Sequence, residues 1–420
     1  MRGKVRKGLA IAAALIVLAA GPARAQLGGV LSSPTLPIDP LGTVGKVRDT
    51  VSDVADSALQ PVERVVRDAG ALASERLRRL SDYVSRHRAS VEWDDRQQPA
   101  VRGEVLFLDP DAAALGLARR AGYAVLEQGT IDGLDVHYAR LQVPQGTSLA
   151  AGLKTLRKVL PGREISADQL HFPSGRAANG ASGGGLASDL PRGGTVGVID
   201  GAITGSDRLA AQRGFANGAP KPSDHASAIA SLLAGAGTAH VYGADVYGSD
   251  PTGGNALAIA RALGWMRGEG VPVVSISLVG PANPLLARAV ASAQGKGMMI
   301  VAAVGNDGPA APPAYPASYP GVIAVTGVDG AGRVLIEAGR ATHLDYAAPG
   351  ADLSALVPGK ARVNLRGTSY AAPLAASRIA ARRLAFPAAG QALKAVDAEA
   401  VGPSRRTGRG VLCNICRSGL

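Results

Sequence analysis

The sequence predicts an α/β protein built on a parallel sheet, preceded by a small α+β unit and an N-terminal helical segment. Three observations carry this. Between Thr195 and Phe386, short apolar runs alternate with longer stretches of helical period, as expected of strands joined by crossover helices. Roughly from 100 to 172 the order is strand, helix, strand, strand, helix, strand, a common small α+β arrangement. From Thr43 to Val91 apolar residues recur every three or four positions, the mark of helices with one covered face. With 46% hydrophobic residues in 420, the chain can bury more than one core.

Taken in order, residues 1–25 read as a secretory signal peptide. Arg2, Lys4, Arg6 and Lys7 precede an apolar run from Leu9 to Ala20, and Ala23-Arg24-Ala25 is a small-x-small cleavage site. The run is too short for a membrane span. Cleavage after Ala25 predicts a secreted or periplasmic protein. Five basic residues would leave with the leader, bringing the formal charge from +12 to +7. Aromatic residues make up only 4% and no basic motif interleaves them, so nucleic acid is not expected as a partner.

Residues 26–97 form a basic helical region. Val44, Val47, Val51 and Val54 recur at helical spacing, as do Val62, Val65, Val66, Leu72, Leu77, Leu80 and Val84 beyond Pro61. The other face carries Arg64, Arg67, Arg76, Arg79, Arg86 and Arg88. It reads first as a solvated face on helices packed against the protein, and second as an arm contacting a membrane surface or a partner.

Residues 98–172 form the α+β unit. Glu104–Leu108, Tyr123–Glu127 and Leu134–Val143 are predicted strands, Ala112–Ala121 and Leu149–Leu160 helices, and the last strand is expected near His171-Phe172. This is the order of ferredoxin-like domains. Residues 173–190 read as a flexible linker, since Pro173 to Ser188 is mostly Gly, Ala and Ser with Arg176 its one charge.

The last large region, 191–386, holds the motifs. Thr195–Ile199 is a buried strand delivering Asp200 at its tip. His225 opens a helix that ends in glycine at 235. Predicted strands Ala239–Tyr247, Val271–Leu278 and Met298–Val304 alternate with helices Asn255–Gly268 and Pro284–Gln294. Gly367-Thr368-Ser369-Tyr370-Ala371-Ala372-Pro373 sets a serine on a small-residue turn at the start of a long apolar helix. Taken singly, Ser369 reads as a cap, Asp200 as a turn former and His225 as an ordinary helix-start residue. His240 and His343 head no helix near the Asp200 strand.

These segments resemble the subtilase family of serine proteases, whose chain order is Asp, His, Ser. The resemblance extends to Val273–Pro281, similar to the family strand that pairs with extended substrate. It includes Ile300–Gly308, similar to the strand and turn carrying an oxyanion-hole asparagine, and the later segments Tyr315–Val325 and Tyr346–Gly350. It implies a three-layer subtilisin-like domain with Asp200, His225 and Ser369 as catalytic residues and Asn306 in the oxyanion hole. It further implies substrate contacts from Ser277, Leu278, Val279, Gly280, Ala303 and Gly305. The chemistry fits these types, because a serine hydroxyl needs a general base, the base needs an orienting carboxylate, and the tetrahedral oxyanion needs donors aimed at it.

The chain departs from the family pattern at three places. Ala226 stands where glycine usually follows the histidine, Tyr370 where methionine follows the serine, and Val279 where glycine is common in the substrate segment. A branched side chain at Val279 predicts a shallow primary pocket for small residues. Subtilase propeptides share the ferredoxin-like fold, so residues 98–172 are expected to be a folding aid and intramolecular inhibitor, with a plain accessory domain as the other reading. Maturation cleavage is expected between Phe172 and Arg192.

No cofactor and no metal site is expected, calcium included, because no clustered carboxylates show calcium-loop spacing. The tail, 387–420, holds the only cysteines, Cys413 and Cys416, expected to form a local disulfide in an oxidising compartment. The sequence thus predicts an exported serine endopeptidase acting on polypeptides. Its alternatives are a catalytically silent peptide- or partner-binding protein and, more weakly, an esterase or peptide ligase using the same acyl-enzyme.

Overall fold

The computed structural model describes residues 70–420 apart from 175, 179–189 and 361. The expected signal peptide and most of the basic helical region lie outside the described residues. Within them the first element is a helix, α1, whose described part runs 70–86. The helical reading had extended to Val91, but residues 87–90 turn and Val91–Trp93 is a strand, β1. Val91 and Trp93 pair with Val101 and Pro99, and the edge of a sheet overrides local helical period.

The α+β unit continues with β2 (Pro99–Leu108), α2 (Ala112–Arg120), β3 (Ala124–Ile131), β4 (Val136–Gln142), α3 (Leu149–Val159) and β5 (Ile165–Gln169). The sheet runs β1-β2-β4-β3, with β5 also on β2, and its pairings are antiparallel. Both helices start at side-chain caps, Asp111 and Ser148, which accept from the backbone N–H three residues on. One sheet face buries Val105, Phe107, Ala139 and Leu141 against α2 and α3.

The last strand of the unit is therefore β5, not His171-Phe172. Phe172–Pro173 is a separate strand, β6, and Arg176–Ala178 another, β7; both pair with the following domain rather than with the α+β sheet. The expected linker accordingly begins in sheet register. Its Gly- and Ala-rich composition conceals this, because backbone pairing needs no side-chain signal.

The second region contains β8 (Thr195–Asp200), β9 (Leu209–Gly214), α4 (Asp224–Gly235), β10 (His240–Asp245), α5 (Ala256–Gly268), β11 (Val273–Ile276), β12 (Leu278–Val279), α6 (Pro284–Gly295), β13 (Met299–Ala303), β14 (Ile323–Val328) and β15 (Tyr346–Pro349). After these come β16 (Leu353–Ala355), β17 (Val363–Arg366), α7 (Thr368–Ala385) and α8 (Ala389–Asp397). Seven parallel strands lie in the order β15-β14-β13-β11-β8-β10-β9. The inner strands β8, β11, β13 and β14 are short and largely apolar, as strands covered on both faces must be, whereas the edge strand β9 is only partly buried.

One face packs on α4 and α7 through Ile229, Leu233, Leu374 and Ile379; the other packs on α5 and α6 through Ile259, Leu263, Leu286 and Val290. The second set of helices also receives Leu106, Leu108, Ile131 and Val136 from the free face of the α+β sheet. The strand order reverses around β8, so the carboxyl ends of β8 and its neighbours open a crevice where side chains from several elements converge.

Residues 387–420 are more closely integrated than a tail. Val411 bridges Ala347, Ser418 bridges Ser354, and Leu412 is fully buried. Cys413 and Cys416 form a disulfide within this segment. No helix of the described residues is long and apolar enough to cross a membrane, and no group of three or more metal-binding side chains occurs among them.

Candidate active site

The crevice gathers residues from three elements. Asp200 ends β8 and is almost fully buried. Its Oδ1 accepts from the Gly201 N–H at 2.8 Å, leaving Oδ2 to face His225. His225 is the second residue of α4, whose start is fixed by the Ser223 side-chain cap on the Ala226 N–H. Ser369 is the second residue of α7, delivered by β17 just before it.

His225 Nδ1 lies 2.8 Å from Asp200 Oδ2, and His225 Nε2 lies 3.0 Å from Ser369 Oγ. Carboxylate, imidazole and hydroxyl therefore form one hydrogen-bonded line. Two of the three departures from the family pattern fit around it. Ala226 is buried in α4, and the Tyr370 ring lies against the imidazole with centroids 5.2 Å apart. Burial pushes the Tyr370 hydroxyl well above its usual pKa, so it stays neutral beside the imidazole.

Asn306 sits in the turn after β13. Its Oδ1 accepts from the Thr368 N–H at 3.0 Å, so the side chain is tied to the turn of Ser369 and its NH₂ group keeps its donors. This bond, and the 2.7 Å bond from Ser277 Oγ to the Ser369 carbonyl, went unread in the sequence because both rest on backbone groups. The hydrogen-bonding of Ser277 ties the serine turn to the strand that borders the cleft.

The expected substrate segment is occupied by the chain itself. Leu278 pairs with Pro173 and Val279 with Phe172 in antiparallel register. The Ser277 carbonyl accepts from the Ser174 N–H at 3.1 Å, and Gly280 abuts His171. Ala303 is buried at the end of β13. Val279 leans over Gly305, where an added methyl would stand 3.2 Å from Val279 Cγ1. A cavity of about 190 Å³ nearby is lined by Phe172, Val279, Gly280 and Gly305, with Arg79 and Leu80 of α1 as part of its roof.

α1 reaches this site through ion pairs that the sequence did not suggest. Arg76 and Arg79 both bind Asp307, the residue after Asn306, at 3.2 and 2.7 Å. Tyr83 Oη donates to the Pro251 carbonyl at 2.7 Å. Two of the arginines expected on a solvated face thus contact the rim of the crevice. The competing histidines stay apart: His240 opens β10 on the surface, and His343 Nε2 bonds the Val322 carbonyl.

The sequence profile of the subtilase family matches residues 195–401. Subtilisin BL of Lederbergia lenta is 32% identical over 194 residues, spanning 42% of this chain and 71% of that protein. The alkaline protease of Shouchella clausii is 31% identical over the same length, which is 50% of that protein. Among solved structures, fervidolysin from Fervidobacterium pennivorans, a keratinolytic enzyme related to subtilisin, superposes with a TM-score of 0.60 at 16% identity, over 76% of this chain and 61% of that one. The epidermin leader peptide processing serine protease of Staphylococcus aureus gives 0.58 at 15%, over 75% of this chain and 97% of that one. These two likenesses establish the fold. The relation to subtilisin BL, with the family profile, places the chain in the subtilase family, as a subtilisin-like serine endopeptidase acting on polypeptides.

Proposed function

We propose that Asp200, His225 and Ser369 are the catalytic triad and that the α+β unit is a propeptide cleaved by this same site. The observation that carries the reading is the unbroken line of hydrogen bonds from Asp200 Oδ2 through the imidazole to Ser369 Oγ. In this reading His225 takes the Ser369 proton as Oγ adds to a peptide carbonyl, and Asp200 holds the tautomer with Nδ1–H and steadies the cation. The Asn306 amide and the Ser369 N–H meet the developing oxyanion. Collapse of the tetrahedral adduct passes the proton to the leaving amine; water then repeats the sequence on the ester and restores the hydroxyl.

The pairing of β6 with β12 supports the inhibitory role of the α+β unit, since a strand lying on Leu278 and Val279 excludes other peptides. Export through the N-terminal leader, with cleavage after Ala25, is part of the same proposal, as is contact of the basic N-terminal helices with an anionic surface. The test is fluorophosphonate labelling of the purified full chain beside Ser369→Ala. Labelling and peptide hydrolysis that both vanish in the variant support the triad. Equal behaviour of the two proteins would overturn it and leave a binding protein.

A further inference from the structure

The path of residues 170–178 across the crevice determines more than occupancy. The chain enters antiparallel to β12 and leaves antiparallel to β17, with Arg176 opposite Arg366, Ala177 opposite Leu365 and Ala178 opposite Asn364. β17 leads directly into Ser369. Ser174 follows the first pairing directly, and its N–H and Oγ both donate to the Ser277 carbonyl, at 3.1 and 3.0 Å. Ser277 in turn donates to the Ser369 carbonyl. One residue thus links the incoming strand to the nucleophile's own turn.

Ser174 is small and almost fully buried, which suits a pocket shortened by Val279. Three residues earlier, His171 is completely buried. Its backbone is held at both ends, the N–H donating to the Gly254 carbonyl at 2.8 Å and the carbonyl accepting from Tyr247 Oη at 3.0 Å. Its ring fills a slot that glycines keep open: a Cβ on Gly280 would come within 2.5 Å of His171 Cδ2, and one on Gly254 within 2.4 Å of the His171 carbonyl. Neither ring nitrogen has a hydrogen-bond partner, and burial pushes the imidazole's pKa down to about 4, so the ring sits neutral. An unpartnered imidazole in a slot of its own shape is held for fit rather than for bonding.

We infer that the chain cuts itself after Ser174, and that the slot beside Gly280 selects a neutral, flat side chain at the fourth residue before the cleaved bond. This rests on the triad proposal and names the substrate it prefers: an extended polypeptide reading His-Phe-Pro-Ser before the cut. Ser369 Oγ bonds to the Ser174 carbonyl carbon, and the bond to the next nitrogen breaks as His225 returns the proton to it. Water hydrolyses the ester, leaving a carboxylate on Ser174 and a free amine on Gly175.

The experiment is intact mass and N-terminal sequencing of the full chain over time, beside Ser369→Ala, His171→Ala and Ser174→Trp. Circular dichroism of each variant checks folding. The expected product begins at Gly175, is absent from Ser369→Ala, and forms more slowly in His171→Ala and Ser174→Trp. On longer peptides added to the processed enzyme, one carrying His-Phe-Pro-Ser before the scissile bond is cleaved at least about tenfold more efficiently than one carrying Ala-Phe-Pro-Ser there, mainly through KM. A Ser369-dependent cut at another bond, or equal rates on the two peptides, overturns this inference while the triad stands. A cut after Ser174 in Ser369→Ala assigns the cleavage to another protease and also overturns it. No cut despite fluorophosphonate labelling does the same, whereas no cut and no labelling defeats the triad proposal itself.

Discussion

The two large sheets among the described residues are covered in different ways. The seven-stranded sheet has helices of its own region on both faces, α4 and α7 on one and α5 and α6 on the other. The antiparallel sheet of the α+β unit has its own helices on one face only, and its second face lies on α5 and α6 of its neighbour. The first is self-sufficient. The second is completed by its neighbour, and an apolar sheet face exposed by separation would leave it marginal.

The shared face also mixes apolar contact with polar groups that a permanent core would avoid. Asn283 Nδ2 donates to the Ala167 carbonyl at 2.9 Å, and Arg288 bridges Asp109 and Glu164. Asp168 is buried against the start of α5, its Oδ1 accepting from the Leu257 N–H at 3.1 Å. Burial pushes its carboxyl up to about 7, and burial pushes His171 down to about 4. On the proposed propeptide reading, this contrast separates a permanent interface from one meant for release.

The largest effect that would sharpen this contrast is in the self-sufficient half. Ser369→Ala should lower kcat on a peptide substrate by about 10⁶-fold, the loss established for a subtilisin, while melting curves move little. Asn306→Ala should cost about 10² to 10³ in kcat with KM nearly unchanged, again by analogy with a subtilisin. A kcat loss below tenfold in steady-state kinetics would remove Asn306 from the oxyanion hole.

Next comes the pH dependence of the shared face, read as dissociation of the cleaved N-terminal part by fluorescence or gel filtration. His171 has a depressed pKa when docked, so its contribution is complete above about 6.5 and is lost as pH falls toward 4; the full span is about 3 kcal/mol, on the order of 10²-fold in Kd. Asp168 has a raised pKa, so its contribution is complete below about 3.8 and is lost as pH rises toward 7. The slopes oppose one another between about 4 and 6.5, and the intact protein should be nearly flat there. Asp168→Asn should then dissociate more readily as pH falls, and His171→Phe as pH rises. Parallel profiles for the two variants would break the contrast.

The smallest effect belongs to α1. Arg79 is half exposed and Arg76 mostly covered, so removing either should weaken retention of the N-terminal part by about 1 kcal/mol or less, more visibly at low salt. Insensitivity to salt in the same dissociation assay would argue that Asp307 is bound for another reason.

The motifs of the self-sufficient half were readable because each is local. Asp200 ends a run of β-formers, His225 and Ser369 each open a helix, and Asn306 follows an apolar strand beside a glycine. The line they form also needed the resemblance, since nothing within one segment states what lies 144 positions away. What the sequence concealed is non-local or carried by backbone. Pro173 sits in sheet register although proline and small residues suggested a linker, and Val91 leaves its helical period because Val101 is its neighbour. Residues 387–420 read as a tail, yet Leu412 and Ser418 are stitched into the core.

Arg378 of α7 is fully buried, and besides Glu399 it holds the Pro191 carbonyl at 2.7 Å. That bond moors the chain to the helix of the serine just after the segment 175–190. A chain newly begun at Gly175 would thus keep two holds on the serine's surroundings, the pairing of Arg176–Ala178 with β17 and the Arg378 bond at Pro191, so that cutting the backbone need not by itself clear the crevice.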